Sequence, residues 1–244
     1  PRGNGRSGRP PTKEGYSLDA IVGDAVAVLD ETETAKAIVF CLSFSGMIGA
    51  ALAAHHPDRV AALITISPNT GLTPPFPYRT PEQFEARHES HEGWNKYNRA
   101  YWSEDYADFA AFFLSQVFNE PHSTKHVEDG IAWAAEGDGE MLTMTLDGRG
   151  TGTLLVDDEM YRRIDCPTLI IHGGNDVVTP LAGSERMAEL TGGTLHVLPG
   201  VGHTANARFP AMVNTMVRDF LADRLGTWKP SRPNGKVRRG KRAL

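Results

Sequence analysis

Three side chains suited to acyl-transfer chemistry each follow an apolar run: Ser43, Asp176 and His203. The runs cover residues 37–42, 167–172 and 194–198. A serine hydroxyl is a weak nucleophile until a neighbouring base removes its proton. Histidine can take and return that proton near neutral pH, and a carboxylate can hold the imidazole in one tautomer. Serine, acid and histidine in this chain order match a known triad, so we predict these roles for the three residues.

The turn at Ser43 has the steric pattern of a nucleophile elbow. From Ser45 onward the apolar residues follow a helical period, so the chain is predicted to change from strand to helix at this serine. Such a sharp turn needs small residues two positions before and two after the nucleophile, where Cys41 and Ser45 stand instead of the usual glycines. Ser45 is a weaker candidate nucleophile, because the bulky Met47 lies two residues beyond it.

Each of the three residues also has a purely structural explanation. Ser43 could cap the end of a strand, Asp176 could cap a turn or helix, and His203 could be a lone surface histidine after two glycines. Their shared position favours the triad, because the carboxyl ends of parallel strands meet at the edge where open α/β sheets bind ligands.

The wider pattern predicts an α/β fold, with a parallel sheet flanked by helices. We expect a helix over about 17–31, a strand over 37–42 that leads into a helix, and a second buried strand over 60–67. A strand, a helix and a strand with short links make a right-handed parallel unit. Further helices are predicted over about 181–191 and from Pro210 onward.

Residues 76–160 interrupt this order and predict an inserted helical segment. They hold 13 of the 20 aromatic residues, and 17 acidic against 6 basic residues. Thr80 and Pro81 predict a helix start. Other helices are predicted near 93–101, 103–118 (with Ser103 as N-cap) and 122–135. Two interpretations stay open: a helical subdomain whose aromatic side chains pack on each other, or a lid that lines an apolar pocket.

No cofactor or metal site is predicted. Residues 3–8 match the pattern G-x-G-x-x-G, but no predicted strand precedes them and Pro10 and Pro11 follow, which excludes a dinucleotide-binding turn. His122 and His126 lie one helical turn apart, a spacing that can bind metal, yet no separate third ligand is evident.

The composition predicts a cytoplasmic protein with no role at a membrane. No apolar run approaches the roughly 20 residues that a membrane span needs, and no signal peptide is visible. Cys41 and Cys166 both lie in or beside predicted strands. They are predicted to be small buried side chains in a reducing compartment, not a disulfide.

Charge divides the chain into an acidic body and a basic tail. Seven of the 25 Lys and Arg residues and none of the 30 acidic residues lie in 229–244, so the rest of the chain has a net charge of −12. An acidic body argues against nucleic acid as a ligand. Residues 225–244 are predicted to be a solvated linker, and residues 1–224 one domain with the insertion at 76–160.

These motifs resemble the α/β-hydrolase fold family, specifically its serine esterase and lactonase-like branch. The resemblance rests on Arg2-Gly3-Asn4-Gly5-Arg6-Ser7, on the elbow at Ser43, on His172-Gly173-x-x-Asp176 and on Gly202-His203, and it spans about 1–224. It implies that the backbone N–H of Phe44, just after the nucleophile, donates to the oxyanion.

The chain departs from that family at its beginning. The family has earlier strands and a His-Gly loop that supplies a second oxyanion donor, and neither is present here. Loss of one such donor typically costs on the order of 10²–10³ in rate, and missing strands would leave sheet edges bare. We therefore expect a fragment of a longer chain that holds only half of the oxyanion hole, with the basic tail leading to a fused domain.

The expected function is hydrolysis of a carboxylic ester, lactone or thioester through an acyl-enzyme on Ser43. The expected substrate is a small apolar acyl compound. Two alternatives remain: a C–C bond hydrolase or perhydrolase that uses the same triad, since one fold hosts many reactions, and a non-catalytic ligand-sensing module joined to another domain.

Overall fold

A four-stranded parallel sheet forms the centre of the molecule, as the sequence predicts. The computed structural model describes residues 1–226, so the predicted basic tail lies almost entirely outside the described residues. The strands are β1 (Ala37–Leu42), β2 (Val60–Ile66), β3 (Thr168–Gly173) and β4 (Thr194–Leu198). They pair in the order β1-β2-β3-β4, and every pair is parallel.

The helices surround this sheet and fill the segment between β2 and β3. They are α1 (Leu18–Glu31), α2 (Ser45–His55), α3 (Pro81–Glu85), α4 (Arg99–Glu104), α5 (Tyr106–Val117), α6 (Thr124–Ala134), α7 (Gly139–Gly148), α8 (Asp158–Arg162), α9 (Leu181–Thr191), α10 (Ala205–Arg208) and α11 (Pro210–Leu225). Short 3₁₀ helices cover Lys13–Tyr16, Pro57–Arg59, Pro77–Arg79 and Gly93–Lys96. Among residues 1–226, none of the helices combines the length and apolarity needed to cross a membrane.

Alternating side chains give the sheet two apolar faces. One face, with Leu63 and Ile170, packs against α1, α2, α8 and α9. The opposite face, with Ile64 and Ile171, packs against α10 and α11. Successive side chains of a strand point to opposite sides, and all seven residues of β2 are buried, so this strand is covered on both faces.

The register of the strands aligns their carboxyl ends. Ile66 of β2 is paired with Leu42 of β1 and with Ile171 of β3. Gly173 at the end of β3 is paired with Leu198 at the end of β4. The loops that follow β1, β3 and β4 therefore leave the sheet at one edge, and those loops hold Ser43, Asp176 and His203.

The inserted segment is helical, but two predicted boundaries are wrong. The helix predicted near 93–101 is a 3₁₀ turn followed by α4, because Asn98 interrupts it and caps α4 by accepting from Ala100 N (3.1 Å) and Tyr101 N (3.2 Å). Ser103 lies inside α4, and the N-cap of α5 is Asp105, which accepts from Asp108 N.

The helices α7 and α8 were not predicted. Both begin with an aspartate that accepts from the backbone N–H three residues later: Asp138 from Met141 (2.7 Å) and Asp157 from Met160 (2.8 Å). An aspartate followed by acidic residues in the first helical turn is the sequence signal for both helix starts.

The aromatic residues of the insertion pack together and also reach the sheet edge. Phe84, Tyr101, Trp102 and Phe109 form a buried cluster. Trp102 and Phe109 also line a cavity that contains Ser43. Both interpretations of the aromatic-rich segment therefore describe part of its packing, while its action as a lid stays a prediction.

Replacing Gly46 with alanine should destabilise the fold. A Cβ on Gly46 would overlap Pro68 Cβ and lie 2.9 Å from Pro68 Cα, so α2 or the loop after β2 would have to move. We expect the free energy of unfolding to fall by about 1–3 kcal/mol, measured by urea unfolding followed by circular dichroism.

The matched control is Gly23→Ala in α1, where a Cβ meets no atom within 4 Å. An alanine in an exposed helical position should raise stability by about 0.5–1 kcal/mol. Equal stability of the two variants would contradict the close approach at Gly46.

Candidate active site

Ser43 occupies a strained turn between β1 and α2. Its φ of +54° is in the left-handed region, which costs energy for any residue with a Cβ. The turn is held by backbone hydrogen bonds: Ser43 N donates to Ile66 O (2.9 Å), and Ser43 O accepts from Gly46 N and Asn69 N. This is the local geometry expected of a nucleophile elbow.

The two small residues beside this turn have separate structural tasks. Ser45 Oγ accepts from Leu42 N (2.9 Å) and donates to Leu42 O (2.8 Å), so its hydroxyl closes the turn and is occupied. Cys41 is buried under Gly49, where a Cβ would overlap its Sγ. Burial raises the pKa of the Cys41 thiol to about 11, so it stays protonated. Cys166 is only partly buried, although both cysteines were predicted to be buried.

The N–H of Phe44 is a free donor beside Ser43. Within residues 1–226 no oxygen accepts a hydrogen bond from it. The Phe44 ring lines the same cavity as Ser43. A backbone donor at this position, just before the first turn of α2, is available to an oxygen atom of a bound molecule.

Asp176 and His203 are joined directly. His203 Nδ1 lies 2.8 Å from Asp176 Oδ2, and their side chains are 2% and 1% exposed. This contact makes Nδ1 the protonated ring nitrogen, which leaves Nε2 as a base. Ser43 Oγ and His203 share the same sheet edge, but no hydrogen bond links them within the described residues.

The carboxylate of Asp176 is held by several donors. Its Oδ1 accepts from the backbone N–H of Val178 (2.7 Å) and of Thr179 (3.0 Å), and its Oδ2 accepts from Thr179 Oγ1 (2.8 Å). Burial alone would raise the pKa of Asp176, but the hydrogen bond from His203 and those backbone donors outweigh it and lower the pKa to about 2. Asp176 is therefore ionised, and it is also a turn-capping residue.

His172 lies behind this pair and completes the buried polar group. Its Nδ1 is 2.8 Å from Ser184 Oγ, and its Nε2 is 3.2 Å from Thr179 O. Burial lowers the pKa of His172, which favours the neutral ring. Thr179 contacts Asp176 and also lines the cavity. It was not predicted from the sequence, where the pattern Asp-x-x-Thr after a strand is the available signal.

The inserted segment is bonded to the loops that hold Asp176 and His203. Five hydrogen bonds join them: Tyr78 Oη to Val177 O (2.8 Å), Arg79 Nη1 to Val178 O, Asn119 Nδ2 to Asn175 O (3.1 Å), Gly202 N to Glu120 Oε1 (2.8 Å) and Thr204 Oγ1 to Val117 O (3.3 Å). The insertion therefore helps to fix the loops on which the candidate triad depends.

A cavity of about 810 Å³ lies between the insertion and the sheet edge. Its walls include Ser43, Phe44, Thr179 and the aromatic residues Tyr97, Trp102, Tyr106, Phe109 and Phe113. An apolar cavity with a few polar groups is typical of small-molecule sites. No group of three His, Cys, Asp or Glu side chains suited to a metal ion occurs within residues 1–226.

The sequence of the chain is similar to those of known proteins of one family. The family described as alpha/beta hydrolase fold matches residues 1–210. A 2-hydroxymuconate semialdehyde hydrolase of Pseudomonas sp. (strain CF600) is 29% identical over 222 residues, which are 91% of this chain and 74% of the relative. A non-heme haloperoxidase of Rhodococcus erythropolis is 29% identical over 223 residues, covering 84% of this chain and 75% of the relative.

Solved structures agree with this assignment. Est816, an N-acyl homoserine lactone degrading enzyme, has a TM-score of 0.71 at 26% identity, covering 90% of this chain and 80% of that chain. The parallel sheet, its flanking helices and the family match lead to one conclusion. The chain belongs to the α/β-hydrolase fold family and is a hydrolase.

Proposed function

We propose that the chain is a serine hydrolase that cleaves a carboxylic ester, lactone or thioester of a small acyl compound. The buried hydrogen bond between Asp176 and His203 carries this proposal, because Thr179, which contacts both, lines the cavity that holds Ser43. A histidine oriented by a buried carboxylate is the base that a serine nucleophile requires.

The proposed reaction has two stages. Ser43 Oγ attacks the carbonyl carbon while His203 Nε2 takes its proton, and the Phe44 N–H donates to the oxygen that becomes negative. The leaving alcohol or thiol receives the proton from His203 as its bond to the carbonyl carbon breaks. A water molecule, deprotonated by His203, then attacks the acyl-enzyme, and its proton returns to Ser43 Oγ as the acid leaves.

Asp176 has an orienting and electrostatic role in this scheme. Its negative charge stabilises the imidazolium that forms in each stage, and its Oδ2 keeps the proton on Nδ1. In this scheme the hydrogen bond from Ser43 Oγ to His203 Nε2 forms when substrate binds, because such catalytic hydrogen bonds are often long in a free enzyme. The strained turn at Ser43 and the occupied hydroxyl of Ser45 both support Ser43 as the nucleophile.

A second candidate reaction is C–C bond hydrolysis with the same residues. It is favoured by the relative from Pseudomonas, whose name states a semialdehyde hydrolase, at 29% identity over 91% of this chain. C–C cleavage by the wild type that is lost in Ser43→Ala, together with little or no cleavage of 4-nitrophenyl esters, would favour this second reaction. The haloperoxidase relative similarly supports a perhydrolase reaction as an alternative.

A fluorophosphonate probe should label the wild-type protein at Ser43. Ser43→Ala should abolish labelling and lower kcat on a 4-nitrophenyl ester on the order of 10³-fold or more. Tandem mass spectrometry assigns the adduct to Ser43 or Ser45. Ser115→Ala, at an exposed position of α5, serves as the control and should label as the wild type does.

Absence of labelling and turnover in a folded protein would reject the proposed reaction. Thermal stabilisation by small esters without turnover would then favour a non-catalytic ligand-binding module.

Asp176 should make the stability of the protein depend on acid pH. Its folded-state pKa of about 2 is below the ordinary value of 3.8, so its stabilisation is complete above about pH 4 and is lost as the pH falls toward 2. This loss is about 2 kcal/mol at 1.36 kcal/mol per pKa unit. Urea unfolding between pH 5 and pH 2 should show a steeper loss in the wild type than in Asp176→Asn.

Asp223→Asn is the matched control, because that carboxylate is 73% exposed on α11. It should follow the wild-type pH dependence. A parallel pH dependence of wild type and Asp176→Asn would mean that the buried carboxylate is not ionised as described.

A further inference from the structure

Two arginines of the inserted segment point to a specific kind of substrate. Arg79, at the end of a 3₁₀ helix, and Arg149, just after α7, both line the cavity that contains Ser43. The other charged residues on its wall are Arg2 and Asp24, which pair with each other (Nε to Oδ2, 2.7 Å). Arg79 and Arg149 are therefore the cavity charges that have no counter-ion among the described residues.

Neither guanidinium has a carboxylate partner in the described part of the chain. The other arginines without ion pairs there are exposed: Arg6, Arg87 and Arg163. Arg79 and Arg149 are instead partly buried. A buried cation without a counter-ion is costly, so a partner is expected from outside the protein chain.

Aromatic rings and one backbone carbonyl stabilise the charge of Arg79 but do not neutralise it. Its guanidinium carbon lies 4.4 Å from the centre of the Tyr97 ring and 5.5 Å from that of Phe113, and its Nη1 donates to Val178 O. Its Nε is buried and has no hydrogen-bond partner among the described residues. Cation–π contacts hold the side chain in place but leave donors unused.

Arg149 is held beside the nucleophile turn. Its guanidinium carbon lies 4.9 Å from the centre of the Phe44 ring, and its Nε donates to Leu146 O (3.3 Å). Neither terminal nitrogen has a hydrogen-bond partner within residues 1–226. Burial lowers the pKa of Arg149, and the charge of Arg79 also acts to lower it. The two cations thus affect each other across the cavity, and an anion between them would relieve both the repulsion and the lost hydration.

We propose that the substrate of this site carries a carboxylate, bound by the free N–H groups of Arg79 and Arg149, next to the acyl bond that Ser43 attacks. The inference rests on the proposed function and adds its substrate class. Guanidinium groups suit this task because their planar fork matches a carboxylate. The sequence predicts an apolar acyl substrate. The proposed substrate still has an apolar part, which the aromatic walls accommodate, but it also carries one negative charge.

Two matched substrates test the inference: mono-4-nitrophenyl glutarate and 4-nitrophenyl pentanoate, which have five acyl carbons and differ by the carboxylate. The wild type should prefer the glutarate in kcat/KM by tenfold or more. Arg149→Met and Arg79→Met should each lower the ratio of the two kcat/KM values by about 10- to 100-fold, mainly through KM. The mono-4-nitrophenyl esters of succinate and adipate change the distance between the carboxylate and the ester carbonyl. Their kcat/KM values therefore report the separation between the arginines and the reacting carbonyl.

The control for the variants is Arg218→Met, an exposed arginine of α11 paired with Asp219, which should keep the wild-type ratio. A second pair, pentanoate esters of 4-nitrophenol and of 3-carboxy-4-nitrophenol, tests a carboxylate on the leaving group. Thermal shift of Ser43→Ala with monomethyl glutarate and with methyl pentanoate, which again differ by one carboxylate, measures binding without turnover, and monomethyl glutarate should stabilise the variant more.

The outcomes separate the two proposals. Hydrolysis of the neutral ester that depends on Ser43, with no preference for either carboxylate position and no added stabilisation by monomethyl glutarate, would overturn this inference alone. The arginines would then only pack on the aromatic rings. Absence of hydrolysis and of fluorophosphonate labelling would overturn the proposed reaction, while the thermal shift still decides whether the cavity binds a carboxylate.

Discussion

The left-handed backbone turn at Ser43 constrains the pairing of β1 with β2 and the packing of α2. A residue with a Cβ holds a φ of +54° only where its surroundings fix the backbone. Here the fixing comes from β2, whose Ile66 O accepts from Ser43 N, and from the close approach of Gly46 to Pro68. The turn therefore depends on the parallel pairing of β1 with β2, and the sheet cannot shift its register without losing it.

The aligned strand ends explain why residues distant in sequence meet. Asp176 and His203 follow β3 and β4, and the pairing of Gly173 with Leu198 brings their loops together. Hydrogen bonds then lock the pair more tightly than sheet geometry alone, since Thr179 binds Asp176 through both its backbone and its hydroxyl. A carboxylate with this many donors stays ionised despite burial, which keeps the histidine ring oriented.

The sheet and the positions of the candidate triad could be predicted from the sequence because they depend on local signals. Apolar runs of four to eight residues mark buried strands, and polar residues that end them mark one edge. The change of period after Ser43 likewise marks the turn. The α/β-hydrolase fold expected from these motifs is confirmed by the family match, while the roles of the three residues stay predictions.

The parts that the sequence did not reveal depend on contacts between distant segments. The break at Asn98 is hidden because apolar residues continue at helical spacing through it, while the side-chain amide bonds to Phe84 O and Ala86 O, twelve or more residues away. Arg79 and Arg149 are 70 residues apart and are two of only six basic residues in an acidic segment. Nothing in their immediate neighbours distinguishes them from solvent-exposed charges.

The lack of a carboxylate partner for Arg79 and Arg149 among the described residues is unusual for the segment in which they lie. The insertion has 17 acidic and 6 basic residues, so carboxylates were available to neutralise any arginine in it. Arg99 shows the ordinary outcome, since it is bonded to both Glu85 and Asp147. Asp147 lies only two residues before Arg149, yet it pairs with Arg99 and leaves Arg149 facing the cavity. Folding thus places two cations against the aromatic walls beside Ser43, and neither has a carboxylate partner in the described chain. A bound anion would neutralise their charge there.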